Sequence, residues 1–156
     1  MDYDEFLRLL AALAEARVEY LLVGGAAINL HGIVRMTERV DLLVRPTHES
    51  LERLITALRA VWTDPELDDL TAEELLGDSP TLRYGPPGGG LVVDVLTRIG
   101  ERFRYDDLEG ETILVDGVPV RVATPRTLVR MKRGTLRPVD QADAEALRRK
   151  FGLSEP

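Results

Sequence analysis

Tyr20-Leu21-Leu22-Val23-Gly24-Gly25-Ala26-Ala27 reads as a short buried strand running into a sharp glycine turn, with a short helix over Ala26 to His31 ended by Gly32. Glycines between a strand and a helix let a backbone approach a ligand, and a helix N-terminus favours anions such as phosphate. The next strand, Val40 to Val44, is closed by Pro46 and carries Asp41 among valines and leucines. Strand alternation places Arg39, Asp41 and Leu43 on one face. A carboxylate in a buried strand is costly unless it is paired or metal-bound. Asp94, inside Leu91-Val92-Val93-Asp94-Val95-Leu96, poses the same problem. If the two strands are neighbours, their carboxylates converge on a hard cation such as Mg²⁺.

Outward from these strands, Phe6, Leu9, Leu10, Leu13 and Ala14 repeat at helical spacing within residues 4–17. Thr47 is placed to cap a helix over 48–61, with Leu51, Leu54, Ile55, Leu58 and Val61 on one face. The acidic stretch beyond it reads as loop with a short helix near 71–76. Thr81 to Tyr84 and Leu91 to Thr97 read as a strand pair joined by Gly85-Pro86-Pro87-Gly88-Gly89-Gly90. Thr112 to Val115 and Val118 to Val122 flank Asp116-Gly117, a strong hairpin signal. Thr124-Pro125 opens a helix expected to end at Gly134. Asp140 is read as the cap of a last helix, with Asp143 in its first turn and Gly152 after its end. The order of elements implies an α/β fold, a mixed β-sheet flanked by helices.

The chain has 156 residues and a mass of 17.4 kDa, which fits a single domain over residues 1–156. It has no cysteine, so a disulfide framework, a thiolate-bound zinc and a thiol nucleophile are excluded. Two histidines argue against a His-rich metal centre. No apolar run approaches the ~20 residues of a membrane span, and the opening MDYDEF is acidic where a signal peptide would be basic. A cytoplasmic protein with no membrane partner is expected. The net charge of −7 argues against a general nucleic-acid coat. The charge is uneven: seven acids and no base lie between Asp64 and Asp78, and nine bases with three acids lie between Arg121 and Lys150.

Leu22-Val23-Gly24-Gly25-Ala26-Ala27, Leu30-His31-Gly32 and Arg35-Met36-Thr37-Glu38-Arg39-Val40-Asp41-Leu42-Leu43-Val44 together resemble the minimal nucleotidyltransferases, nearest to the AbiEii-like toxin group and its single-domain relatives. The likeness runs from about residue 20 to 148 and takes in Asp94, Thr124-Pro125 through Lys132, Arg137-Pro138, Asp140 and Asp143. It implies a polymerase-β-like nucleotidyltransferase fold. It also implies Mg²⁺-dependent transfer of a nucleoside monophosphate from an NTP to a tRNA or protein hydroxyl, within a toxin–antitoxin setting. Carried over position by position, Asp41 and Asp94 are the metal ligands and catalytic acids. Gly24, Gly25, Arg35, Thr37 and Lys132 are the nucleotide-binding residues. Arg39 holds the place of the family's first motif aspartate.

That departure removes a ligand and sets a permanent cation where a metal is expected, because arginine does not deprotonate in proteins. Arg39 would instead pair with Asp41 and Asp94 as a built-in cation. Glu38 is a poor replacement, since a shift of one residue turns it to the other face. An introduced substitution, a non-catalytic relative and a shifted ligand set all remain open. Two functions follow: a nucleotidyltransferase slowed by Arg39, or a non-catalytic nucleotide-binding or antitoxin-like partner module. His31 is expected to hydrogen-bond locally and Trp62 to edge the core.

Overall fold

The structure is a computed structural model and describes residues 2–77, 81–100, 103–132 and 137–154. Its centre is a six-stranded mixed sheet in the order β3-β4-β2-β1-β8-β7. β1 (Tyr20–Val23) pairs antiparallel with β2 (Arg39–Val44) and parallel with β8 (Val118–Ala123). β2 pairs parallel with β4 (Val92–Leu96), which pairs antiparallel with the edge strand β3 (Thr81–Tyr84). The other edge, β7 (Gly110–Val115), forms a hairpin with β8. Its turn holds Asp116 at φ 48° and Gly117 at φ 82°, the left-handed pair that the Asp-Gly signal calls for. β5 (Arg98–Ile99) and β6 (Phe103–Arg104) form a separate two-stranded ribbon, which is too short to announce itself in the sequence.

β1 is buried at all four positions, as a central strand covered on both faces must be. α1 (Tyr3–Glu15) packs on α3 (His48–Val61) and against β8. α2 (Gly24–Leu30) packs against β1, β2 and α6 (Pro125–Lys132), and α6 packs on α7 (Pro138–Phe151). The cap assigned to Thr47 is present: its hydroxyl accepts from the Ser50 N–H at 3.2 Å. His31 is buried and its Nε2 bonds the Ala123 carbonyl at 2.8 Å, while Trp62 packs at the core edge against Tyr84. Among the described residues, no helix is long and apolar enough to cross a membrane.

Several boundaries differ from the sequence reading. α1 stops at Glu15 rather than 17, because Arg17 adopts φ 56° and the Arg17 and Val18 N–H groups bond back to Ala14 and Leu13. This is a Schellman closure made without glycine. Gly24 and Gly25 are not a turn ahead of a helix but the first two residues of α2. β2 begins one residue earlier, at Arg39. The acidic stretch forms two short helices, α4 (Pro65–Asp68) and α5 (Ala72–Leu75), the first capped by Asp64 with Pro65 at its first position. Asp140 is not the cap of α7; Arg137 is, with Pro138 at the first helical position. The expected stop of α6 at Gly134 lies outside the described residues.

Candidate functional site

Strand register brings the two aspartates together. Asp41 on β2 and Asp94 on β4 are direct partners across the parallel pair, and Arg83 on β3 is the partner of Asp94 on its other side. Partnered residues share a face, so Asp41, Asp94 and Arg83 form one row across three strands. The Arg83 guanidinium closes on Asp94 as a fork: Nε donates to Oδ1 at 2.8 Å and Nη2 to Oδ2 at 3.2 Å. Arg39, two residues before Asp41 on the same face, brings Nη1 to 3.6 Å from the same Oδ2. Asp94 is buried, while the two arginines are half-exposed at the rim.

The loop between α2 and β2 supplies the opposite wall. The Asn29 side chain accepts from the Arg35 N–H at 3.0 Å, and the Thr37 hydroxyl donates to the Arg39 carbonyl at 3.0 Å. Val34 and Met36 point outward, 100% and 92% exposed, so Arg35 and Thr37 turn inward. Here the glycines have a definite task. Gly24 sits at φ +70°, and a Cβ there would collide with Asp41 Oδ2 and lie 3.1 Å from its Cγ. A Cβ on Gly25 would lie 2.9 Å from Arg35 Nη1 and 3.1 Å from Thr37 Oγ1. Both glycines therefore make room for the side chains of the site. The result is an open groove of 430 Å³ lined by Arg35, Met36, Thr37, Glu38, Arg39, Arg83 and Val92.

Asp41 Oδ1 is buried and has no hydrogen-bond partner. Burial, then the neighbouring Asp94, push the Asp41 carboxyl above its ordinary value, while Arg39, Arg35 and Arg83 pull the other way. A carboxyl raised on folding supports the folded state below its unfolded value, near 3.8, and that support is lost as the pH rises through the folded value. Asp41→Asn is therefore expected to raise the Tm at pH 7. Scanning calorimetry at pH 4 and pH 7 checks it: the gain should be larger at pH 7, and a loss of stability at pH 7 would contradict the assignment.

Lys132 does not line the groove. Its ammonium lies 2.9 Å from Asp140 Oδ1 and 3.0 Å from Asp143 Oδ2, and its side chain is largely buried. Arg35 Nη1 lies 3.2 Å from the same Asp143 oxygen. These are charge contacts rather than well-aligned hydrogen bonds at that oxygen. Asp143, buried on α7, thus ties α6 to the groove loop.

Comparison with solved structures gives the architecture a family resemblance. The lincosamide antibiotic adenylyltransferase LnuA, with lincomycin bound, matches over 93% of this chain and 95% of its own, at 13% identity and a TM-score of 0.64. An antigenic nucleotidyltransferase-like protein from Paracoccidioides brasiliensis matches over 92% and 74%, at 20% identity and 0.53. ANT(2")-Ia, in complex with adenylyl-2"-tobramycin, matches over 94% and 87%, at 16% identity and 0.54. The chain has a nucleotidyltransferase fold. No family model matches the sequence, and no curated protein matches it.

On this nucleotidyltransferase fold, the structure places Arg39, Arg35 and Thr37 in the lining of one groove, and sets Asp41 and Asp94 side by side next to Arg39 without lining it, with Gly24 packed against Asp41 and Gly25 against Arg35 and Thr37. It leaves Lys132 behind, in the α6–α7 ion-pair cluster. The residue that sequence reading missed is Arg83. Its signal was an arginine alternating with Thr81 on a strand paired to that of Asp94, but the register across residues 85–90 is not fixed locally.

The residues present do not fit the Mg²⁺ site that the resemblance implies. Asp94 has both oxygens engaged by Arg83, and Arg39 stands beside it. Both guanidinium groups are spent on Asp94; among the described residues Arg39 makes no ion pair with Asp41, contrary to the pairing expected from the sequence. A divalent ion 4 Å from one guanidinium would be repelled by about 8 kcal/mol at an effective dielectric of about 20. Among the described residues, no group of three or more His, Cys, Asp or Glu is placed to hold a metal. At the pair, Asp41 Oδ1 is left as a buried oxygen without a hydrogen-bond partner.

Proposed function

We propose that this chain is a nucleotide-binding protein that takes a nucleoside triphosphate in the groove between the 32–38 loop and β4. The observation that carries the reading is the groove itself. Three guanidinium groups, of Arg35, Arg39 and Arg83, and the Thr37 hydroxyl surround a space of 430 Å³. That volume lies within the ~300–1,000 Å³ of small-molecule sites. Guanidinium forks match phosphate oxygens bidentately, which lysines do not. The apolar Val92, on the β4 side of the groove, suits the base or sugar. The lincosamide antibiotic adenylyltransferase of like fold, and the adenylyl-2"-tobramycin held by ANT(2")-Ia, support a nucleotide as the ligand.

In this reading each residue has a part. Arg35 is steered by Asp143, and Thr37 by the Arg39 carbonyl. Arg39 and Arg83 present their remaining donors to the outer phosphates. Arg35→Ala is expected to weaken ATP binding by about tenfold to a hundredfold, the loss of one charge-assisted contact of ~1.5–3 kcal/mol. Isothermal titration calorimetry reads this, and an unchanged affinity would remove the groove as the site.

A second reading rests on one observation, the buried and unpartnered Asp41 Oδ1. It holds that the chain also transfers a nucleoside monophosphate to an RNA or protein hydroxyl, in a toxin–antitoxin setting. Incubation with labelled NTPs, tRNA and a protein mixture separates the two: labelled acceptor supports transfer, and its absence alongside tight NTP binding supports binding alone.

A further inference from the structure

We infer that Arg39 and Arg83 take the place of a cation at the Asp41–Asp94 pair, so that the chain holds a triphosphate without a divalent metal. The triphosphate half of this statement rests on the nucleotide reading above; the metal half stands on the geometry alone.

Two carboxylates on adjacent strands at the same register repel each other and demand a counter-charge. Here the chain supplies it at Asp94, while Asp41, the strand partner of Asp94, makes no ion pair among the described residues. Arg83 reaches Asp94 through two of its five N–H donors, one on each oxygen, and Arg39 approaches Oδ2 from the β2 side. Both heads are half-exposed and line the groove, so each can engage the buried acid and an entering anion together. Glu38 also lines the groove, but it is exposed and lies on the strand-adjacent position of opposite face. Arginine keeps its charge across the accessible pH range, so this counter-charge cannot be titrated away to admit a metal.

The first test uses the metal alone. Mn²⁺ is titrated into the wild-type chain and followed by electron paramagnetic resonance. No saturable binding is expected, whereas Arg39→Asp should gain Mn²⁺ affinity by at least about tenfold. Arg83→Gln is the second variant, should the first fail to fold; it frees the Asp94 oxygens and should gain affinity in the same direction. Saturable Mn²⁺ binding by the wild type that Asp94→Asn abolishes would overturn the inference. So would the absence of a gain in folded variants.

The second test titrates ATP with EDTA and with Mg²⁺. The affinities should agree within about threefold. Binding that requires Mg²⁺ would overturn the inference while leaving the nucleotide reading intact. No ATP binding under either condition would overturn the nucleotide reading, and the Mn²⁺ result would still decide the metal claim.

Discussion

Gly24→Ala should lower the Tm by about 5–15 °C and abolish triphosphate binding. The expectation combines two costs. Gly24 sits at φ +70°, where a residue with a Cβ is strained by roughly 1–2 kcal/mol. The added methyl also collides with Asp41 Oδ2, and Asp41 is a strand residue pinned between β1 and β4 that cannot step aside. Together these amount to about 2–4 kcal/mol, and at this size each kcal/mol moves the Tm by about 2–4 °C. Gly25→Ala is the control. It has no left-handed φ, and its methyl meets the far end of the long Arg35 side chain, 2.9 Å away, and the Thr37 side chain. It should shift the Tm by no more than about 3 °C and weaken binding by displacing Arg35. Equal melting of the two variants would show that the packing of Gly24 against Asp41 does not matter.

Asp143→Ala should be the most damaging change outside the groove. The carboxylate serves two cations on different elements, Lys132 of α6 and Arg35 of the groove loop. Removing one side of a buried pair leaves the other charged and dehydrated, typically at about 3–5 kcal/mol. Asp140 still accompanies Lys132, and Arg35 is partly exposed, so about 2–3 kcal/mol is the expected loss here. Urea denaturation should show a lower midpoint with an unchanged slope, since no extra surface is exposed. ATP affinity should fall as well, because Arg35 loses its anchor. A normal midpoint would mean that α6, α7 and the loop are held by apolar packing alone.

The parts of this fold that were legible in the sequence depend on neighbours along the chain. Strands β1, β2 and β4 announce themselves as apolar runs, and Asp41 and Asp94 stand out because nothing beside them in sequence explains a buried carboxylate. The Asp-Gly hairpin and the Thr47 cap are equally local. What the sequence withheld depends on tertiary register. The partnership of Arg83 with Asp94 requires the alignment of β3 on β4 across a glycine-proline loop, which turn chemistry at residues 85–90 does not set. The end of α1 at Arg17 uses a left-handed arginine, a position where glycine is the expected signal. Asp140 looks like a cap, but Pro138 starts the helix two residues earlier, and the acid is turned to Lys132 instead. Lys132 itself reads as a phosphate ligand only while Asp140 and Asp143 are thought to be elsewhere.

Arg39 is the position where sequence and structure agree on a problem. Alternation places it on the face of Asp41, and the structure sets its guanidinium beside Asp94. A groove built from guanidinium groups rather than carboxylates recognises phosphate first and the base second. Calorimetric titration of ATP and of adenosine into the wild-type chain tests this most directly. ATP should bind saturably and adenosine at least about a hundredfold more weakly, the loss of roughly 3 kcal/mol of phosphate contacts. Adenosine binding as tightly as ATP, or no binding of ATP, would contradict it.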